Sequence, residues 1–354
     1  MARPVVLAIE TSCDDTACAF VDGEGRVLAS VVSSQLAAHR PFGGVVPEIA
    51  SREHLRNWPH VRAAACERAG LRVEEADLIA ATRGPGLVGS LLVGLSLGKA
   101  IAYALGRPFH AVHHLEGHLY SPFLRPGGAP AEEVPERFVG LVVSGGHTSL
   151  FGVADGRVST LAETRDDAMG EAFDKLGKRL GLAYPQGPRV DELAERGDAA
   201  RRPLPVPGAP GDQELFFSYS GLKSQAILEL ERLGAVPRGG ARPDSAGEEF
   251  PAEVLDLLAG FRAAAVEQLL DRVARLHRRA PIPTLAVSGG VAANRLLRLR
   301  LAEWAERERV ALRLVPLEYA GDNAAMIGWA AIQRERRGVR DDPRSADAAS
   351  RIAI

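Results

Sequence analysis

Two histidines four residues apart, His114 and His118, stand in the segment VHHLEGHLY (112–120). On a helix this spacing puts both imidazoles on one face, with Cβ atoms about 5–6 Å apart, a separation at which two ligands can share one metal ion. A chance pair on a helix face reads as well until a third ligand is found. The best-placed candidate is Asp322 in YAGDNAAMIG (319–328), a carboxylate at a loop-to-helix junction, although the residues alone favour a helix N-cap there. The pattern is not HExxH. Glu116 lies two positions after His114, so it points away from the shared face and a metallopeptidase is left without its general base.

Two strand-to-turn segments, VVSGGHTS (142–149) and AVSGGVAAN (286–294), carry Ser-Gly-Gly directly after an apolar run. Glycine permits positive φ and leaves backbone N–H groups open to a phosphate or other oxyanion. The second turn opens a helix, whose N-terminal dipole favours an anion. Asn294 reads equally as a nucleotide contact or as the cap of that helix, and His147 as a ligand contact or a surface residue. Further on, DDAMGEAFDKLGKRLGLAYPQGPRVDELA (166–194) places Asp174 on a helix, Gly187 in a proline-bracketed turn and Asp191 just beyond. Those carboxylates can accept hydrogen bonds from ribose or substrate hydroxyls, or be solvated helix acids. Glu10, Asp14 and Asp15 follow the first apolar run, where a base, a cation ligand or a turn cap all fit.

These residues need elements to hold them. The first 33 residues give an apolar run, a polar turn, a second run, the turn at 22–25 and a third run; the segment from 139 repeats this plan. The repetition suggests an internal duplication. After each three-strand unit helices and strands alternate: helices at 47–69, 86–106, 166–181, 251–278, 291–308 and 323–337, and strands at DLIAATRGPG and TLAVSGG. The last helix is expected to pack back on the first lobe. Stretches 201–213 and 234–247, rich in Pro, Gly and Arg, read as surface excursions.

The 354 residues suit two α/β lobes with a ligand-binding cleft between them. At 46% hydrophobic and 25% charged, the composition excludes a disordered or fibrous chain. No stretch approaches the roughly 18 uninterrupted apolar residues of a membrane helix, and the start lacks a basic signal prefix, so no membrane association and a cytoplasmic location are expected. Cys13, Cys18 and Cys66 include no CxxC pair and suggest neither a disulfide framework nor a thiolate zinc site. A formal charge of −2 excludes global attraction to nucleic acid. Of the local basic runs, Lys175, Lys178 and Arg179 lie on the helix that carries Asp174.

Taken together, IETSCDDT (9–16), GGVVPEIASREH (43–54), TRGPGLVGSLLVG (82–94), HHLEGH (113–118), VSGGHT (143–148), GEAFDKLGK (170–178), YPQGP (184–188), SYSGLK (218–223), VSGGVAANRLLR (287–298) and GDNAAMI (321–327) resemble the bacterial TsaD family of tRNA N6-adenosine threonylcarbamoyltransferases, once called O-sialoglycoprotein endopeptidases. The matches span nearly the whole chain in the family's order. The resemblance implies the duplicated, two-lobed α/β fold of the actin, Hsp70 and sugar-kinase type with a central cleft. It implies one metal ion, usually assigned as iron with zinc the alternative, held by His114, His118 and Asp322, which overturns the N-cap preference. It implies substrate binding at Val143, Ser144, Gly145, Gly146, His147, Asp174, Gly187, Asp191 and Asn294, with Asp14 and Asp15 as catalytic candidates. Gln186 departs from the family's YPGGP turn, and Asp15 stands where glutamate is frequent.

The implied reaction moves threonylcarbamoyl from threonylcarbamoyl-AMP to the exocyclic amine of the adenosine beside the anticodon, in tRNAs reading codons that begin with A, and releases AMP. TsaB-like and TsaE-like proteins are the implied partners, and the helix at 86–106 is the candidate docking face for the former. The expected lobes are 1–110 with 323–354, and 111–322 with the metal and nucleotide site at the cleft. A kinase or ATPase of the same fold, a metallopeptidase and a non-catalytic nucleotide-binding scaffold are the rival readings.

Overall fold

The computed structural model describes residues 4–208, 215–236 and 250–354. The expected surface excursions extend outside the described residues at 209–213 and 237–247. The chain divides into two compact units, one of residues 1–136, 154–158 and 315–354, the other of residues 137–153 and 159–314.

In the first unit, strands β1 (Val5–Glu10), β2 (Asp15–Asp22), β3 (Val27–Ser34), β4 (Leu78–Gly84) and β5 (Phe109–His113) form one sheet in the order β3-β2-β1-β4-β5. The central strand, VVLAIE, is apolar on both faces because both are covered. It runs antiparallel to β2 and parallel to β4, with Ile9 beside Ala81. Leu7, Ile9, Phe20, Ile79 and Ala81 share a core cluster with Trp58 and Val61 of α2 (Pro47–Ala69) and Leu95 of α3 (Val88–Leu105). A one-turn helix, α1 (Leu36–His39), precedes α2. Alternation sends Ala8 and Glu10 to the opposite face. A short buried helix, α4 (His114–Tyr120), follows β5 directly.

The second unit repeats the plan. Strands β6 (Arg137–Val143), β7 (Thr148–Ala154), β8 (Arg157–Glu163), β9 (Thr284–Ser288) and β10 (Ala311–Leu314) are ordered β10-β9-β6-β7-β8, the first sheet's order with a three-strand meander again followed by two more strands. Its helices are α5 (Met169–Arg179), α6 (Gln186–Ala194), α7 (Ser220–Arg232), the long buried α8 (Ala252–Arg279) and α9 (Arg295–Glu308). The chain then returns to the first unit as α10 (Ala324–Arg336), which packs on β1 and β2, where a Cβ on Gly328 would lie 2.8 Å from Val21 and 3.3 Å from Ala8.

The units differ from the expected lobes at both boundaries. Residues 111–136 and 315–322 belong to the first unit because β5 is hydrogen-bonded to β4 and leads straight into α4, which packs against α10. The helix expected from 291 starts at Arg295, after a 3-10 turn at Gly290–Ala293.

Helix α3 is rich in apolar residues, although Lys99 interrupts the run. By length and composition it would be able to cross a membrane, the one such helix among the described residues. Here it packs on β4, with Lys99 at its middle donating to the Ala346 carbonyl at 2.6 Å. Its glycines serve close approach. A Cβ on Gly98 would sit 2.9 Å from the Ala81 Cβ and 3.1 Å from the Phe109 ring. Gly98→Ala should therefore destabilise the protein by about 1–3 kcal/mol through overpacking, against a helix-propensity gain of up to about 1 kcal/mol. Urea unfolding decides the sign, and a more stable variant would contradict the packing argument.

Candidate metal and nucleotide sites

His114, the first residue of α4, and His118, one turn further on, are buried, at 5% and 0% exposure. Their rings lie edge to face with centroids 4.8 Å apart. Asp322 Oδ1 is 3.2 Å from Nε2 of His118 and 3.5 Å from Nε2 of His114. Donor atoms of all three lie within 4.8 Å of one another. Asp322 is not a helix cap: Asn323 takes that place, its side chain accepting from the Met326 N–H at 3.0 Å, and this leaves the Asp322 carboxylate for the imidazoles.

The residues fit a cation. Glu10, fully buried at the end of β1, faces Nδ1 of His114 at 3.2 Å, so two carboxylates flank one imidazole. Burial opposes charging that ring, but Asp322 and Glu10 outweigh it and hold its pKa up, to about 9. A proton on His114 thus supplies the positive charge that the site demands. His118 is pushed down by burial and stays neutral. Asp15, the first residue of β2, is pushed up to about 7 by burial, then by the charges of Asp322 and Asp14, and its Oδ1 is buried without a hydrogen-bond partner. Asp14 lies beside it, its carbonyl accepting from the Gln35 N–H at 3.0 Å.

Glu116 is occupied elsewhere. Its carboxylate pairs with Arg334 at 3.3 Å and Arg337 at 3.0 Å, fastening α4 to α10. His113 is the cap of α4, accepting from the Leu115 N–H and facing the Ile352 carbonyl.

In the second unit, parallel pairing of β6 with β9 puts Val142 beside Ser288, so the two Ser-Gly-Gly turns emerge side by side. Gly289, at φ +93°, comes so close that a Cβ would meet the Val143 carbonyl at 2.3 Å. The first turn is closed by Ser144 N–H to His147 O at 2.8 Å and His147 N–H to Ser144 Oγ at 3.1 Å. A cavity of about 330 Å³ is lined by Gly145, Asp174, Gly187, Asp191, Gly290 and Asn294, with Phe173 and Val291 among its apolar walls. Asp174 Oδ1 accepts from the Gly187 N–H at 2.6 Å. Gly187 is in the first turn of α6 rather than in a free turn, and Gln186 packs over Gly177 of α5, so the departure at 186 is absorbed by helix packing. The cap reading of Asn294 holds, since its Oδ1 caps α9 through the Leu297 N–H at 2.8 Å, while its Nδ2 donates to Asp191 Oδ1 at 2.6 Å at the cavity wall.

Sequence reading missed Arg262, which donates to Asp191 Oδ1 at 3.3 Å and to the Ala194 carbonyl at 3.2 Å; nothing marks it out among the charges of α8. It also missed how the basic run is used: Lys175 pairs with Asp167 and Glu171, and Arg179 with Glu231.

Residues 26–329 match the family model described as TsaD: tRNA N6-adenosine threonylcarbamoyltransferase. The tRNA N6-adenosine threonylcarbamoyltransferase of Syntrophobacter fumaroxidans is 46% identical over 349 residues, covering 98% of this chain and 99% of that one. That of a Thermus thermophilus strain is 44% identical over 344 residues, covering 97% of each. Among solved structures, T. kodakarensis HypF is similar with a TM-score of 0.60 at 14% identity, covering 96% of this chain and 48% of that one. The fold is the α/β type shared by actin, Hsp70 and the sugar kinases.

The charge on His114 makes stability depend on pH. Its pKa in the folded protein, about 9, exceeds the ordinary 6.5, so it stabilises fully below about pH 6.5 and loses that contribution as pH rises through 9. The thermal midpoint of metal-free protein should fall between pH 7 and 9.5, and should fall less in His114→Gln. Parallel profiles for the two proteins would contradict this assignment.

Proposed function

This chain belongs to the TsaD family of tRNA N6-adenosine threonylcarbamoyltransferases, and on that premise we propose that it takes threonylcarbamoyl-AMP as donor and works with a metal ion held by His114, His118 and Asp322. The reaction is acyl transfer to the N6 amine of a tRNA adenosine. The position modified is the adenosine beside the anticodon in tRNAs that read codons beginning with A. The observation that carries the metal reading is the meeting of two Nε2 atoms with a carboxylate some 200 residues away in sequence.

The amine is a poor nucleophile because its lone pair is shared with the purine ring. As it attacks the carbamoyl carbon, an N–C bond forms, the C–O bond to the phosphate breaks and AMP departs. The amine must also lose a proton. Asp15 is a suitable acceptor: burial holds its carboxyl up, to about 7 in the metal-free protein, where it is half ionised near neutral pH. The adenylate's place is the cavity of the second unit: glycine-turn N–H groups for the phosphate, Asp174 and Asp191 for hydroxyls, and Asn294 and Gly187 completing the wall. When bound, the ion supplies Lewis acidity towards a carbonyl or phosphoryl oxygen. Two imidazoles and one carboxylate are a donor set that both non-haem iron and zinc accept, and iron is proposed on the family resemblance.

Metal and transfer should be lost together in His118→Ala, with metal read by elemental analysis and the modified nucleoside by mass spectrometry. Full metal content in that variant would overturn the ligand set.

TsaB-like and TsaE-like partners belong to the same proposal, as does a cytoplasmic location, where the tRNA substrate is met. A net charge of −2, with Lys175 and Arg179 already paired to acids, argues for outside help in holding a polyanion. The docking face is the exposed side of α3 with α2, where Leu55, Leu92, Val93, Leu97 and Ala100 line an apolar groove. Leu55→Glu with Leu92→Glu should abolish TsaB-like binding in calorimetry while nucleotide binding persists. Unchanged partner affinity would refute this face.

A further inference from the structure

Strand β1 ends on a carboxylate with no exposure to solvent. Glu10 Oε1 accepts from the Ser12 backbone N–H at 2.5 Å, while Oε2 takes the Thr82 hydroxyl and faces Nδ1 of His114 at 3.2 Å. The place follows from register: Ile9 lies beside Ala81, so Glu10 and Thr82 share the next step on the face away from the α2–α3 core. Burying a carboxylate is costly unless a partner needs its charge. Ser12 and Thr82 do not need it, since a neutral amide could accept from the Ser12 N–H through its oxygen and donate to the Thr82 hydroxyl oxygen through its nitrogen. His114 does.

An ionised carboxylate only accepts, whereas the Ser12 hydroxyl, also 3.2 Å from Nδ1, can donate or accept. With an ion on the Nε2 side, where Asp322 Oδ1 also stands at 3.5 Å, Glu10 therefore holds the remaining proton of a neutral His114 on Nδ1. The second imidazole has no such support, because Nδ1 of His118 is buried without a hydrogen-bond partner. We infer that Glu10 is the positioning residue of the metal site: it presets the tautomer and orientation of His114 from the side opposite the ligand atoms and makes it the stronger imidazole ligand. It is not itself a ligand, since its oxygens are taken up on the Nδ1 side. The inference rests on the metal reading above.

Zinc is the probe, titrated into metal-free protein against a chromophoric chelator. Glu10→Gln turns an amide N–H towards Nδ1, which drives the proton to Nε2, and should weaken zinc binding about 10–100-fold. Thr82→Val removes a different donor from the same carboxylate and should keep zinc affinity close to that of the unaltered protein even if it is less stable. Should Glu10→Gln not fold, long-range proton–nitrogen correlation on the zinc-loaded unaltered protein still decides: His114 must carry its proton on Nδ1. Unchanged affinity in a folded Glu10→Gln protein, or a His114 proton on Nε2, overturns the role of Glu10 alone. An unaltered protein that takes up no zinc overturns the metal reading, and this inference with it.

Discussion

An excess of buried negative charge around one imidazole is the constraint on which the first unit depends. Glu10 and Asp322 approach His114 from its two nitrogens; Glu10 is fully buried and Asp322, with its side chain 27% exposed, is partly so. Two such charges stay ionised only beside a cation. In the metal-free chain a proton on His114 provides it, and Asp15 gives way by holding its own proton towards neutral pH. The elements around the site keep these charges in place. Strand β1 supplies Glu10, β4 the Thr82 hydroxyl, α4 both histidines, and the turn before α10 supplies Asp322. The Glu116 pairs with Arg334 and Arg337 then tie α4 to α10, so the histidines cannot shift relative to the aspartate without breaking a buried ion pair.

The sequence made the motifs legible and left their use of polar atoms obscure. Period and breakers marked the strands and the helix Pro47–Ala69, because apolar alternation and glycine or proline stops are local properties. The His114–His118 pair was legible for the same reason. Asp322 was not: an aspartate before a helix reads as a cap until the next residue, Asn323, is seen to cap instead. Its assignment came from the family resemblance rather than from spacing. For Asn294 the cap was legible, whereas the bond from its amide nitrogen to Asp191, 103 residues away, was not.

What the sequence hid arises from pairing between distant segments. Arg262 meets Asp191 across 71 residues, and Glu10 meets His114 across 104. Neither has a local signature, because a buried charge inside a helix or at a strand end looks like any solvated one until its partner is known. The unit boundaries were hidden for a related reason. Residues 111–136 include the end of β5 and the segment after it and stay with its sheet, whereas composition changes little there.

The duplication places different chemistry at equivalent points of the two sheets. In each, the first strand of the meander runs parallel to the fourth strand of its unit, β1 with β4 and β6 with β9, and function gathers beyond the carboxyl ends of that pair. After β1 and β4 come Glu10 and Thr82, side chains that hold a histidine. After β6 and β9 come two Ser-Gly-Gly turns, whose missing side chains let the two backbones pass closely, as at Gly289 against Val143. One end is thereby suited to a cation and the other to an anion, and the difference costs only a few residues at strand ends. On the proposed reading, the cation requirement and the phosphate requirement each fall at the strand ends of one copy of the topology, away from its core.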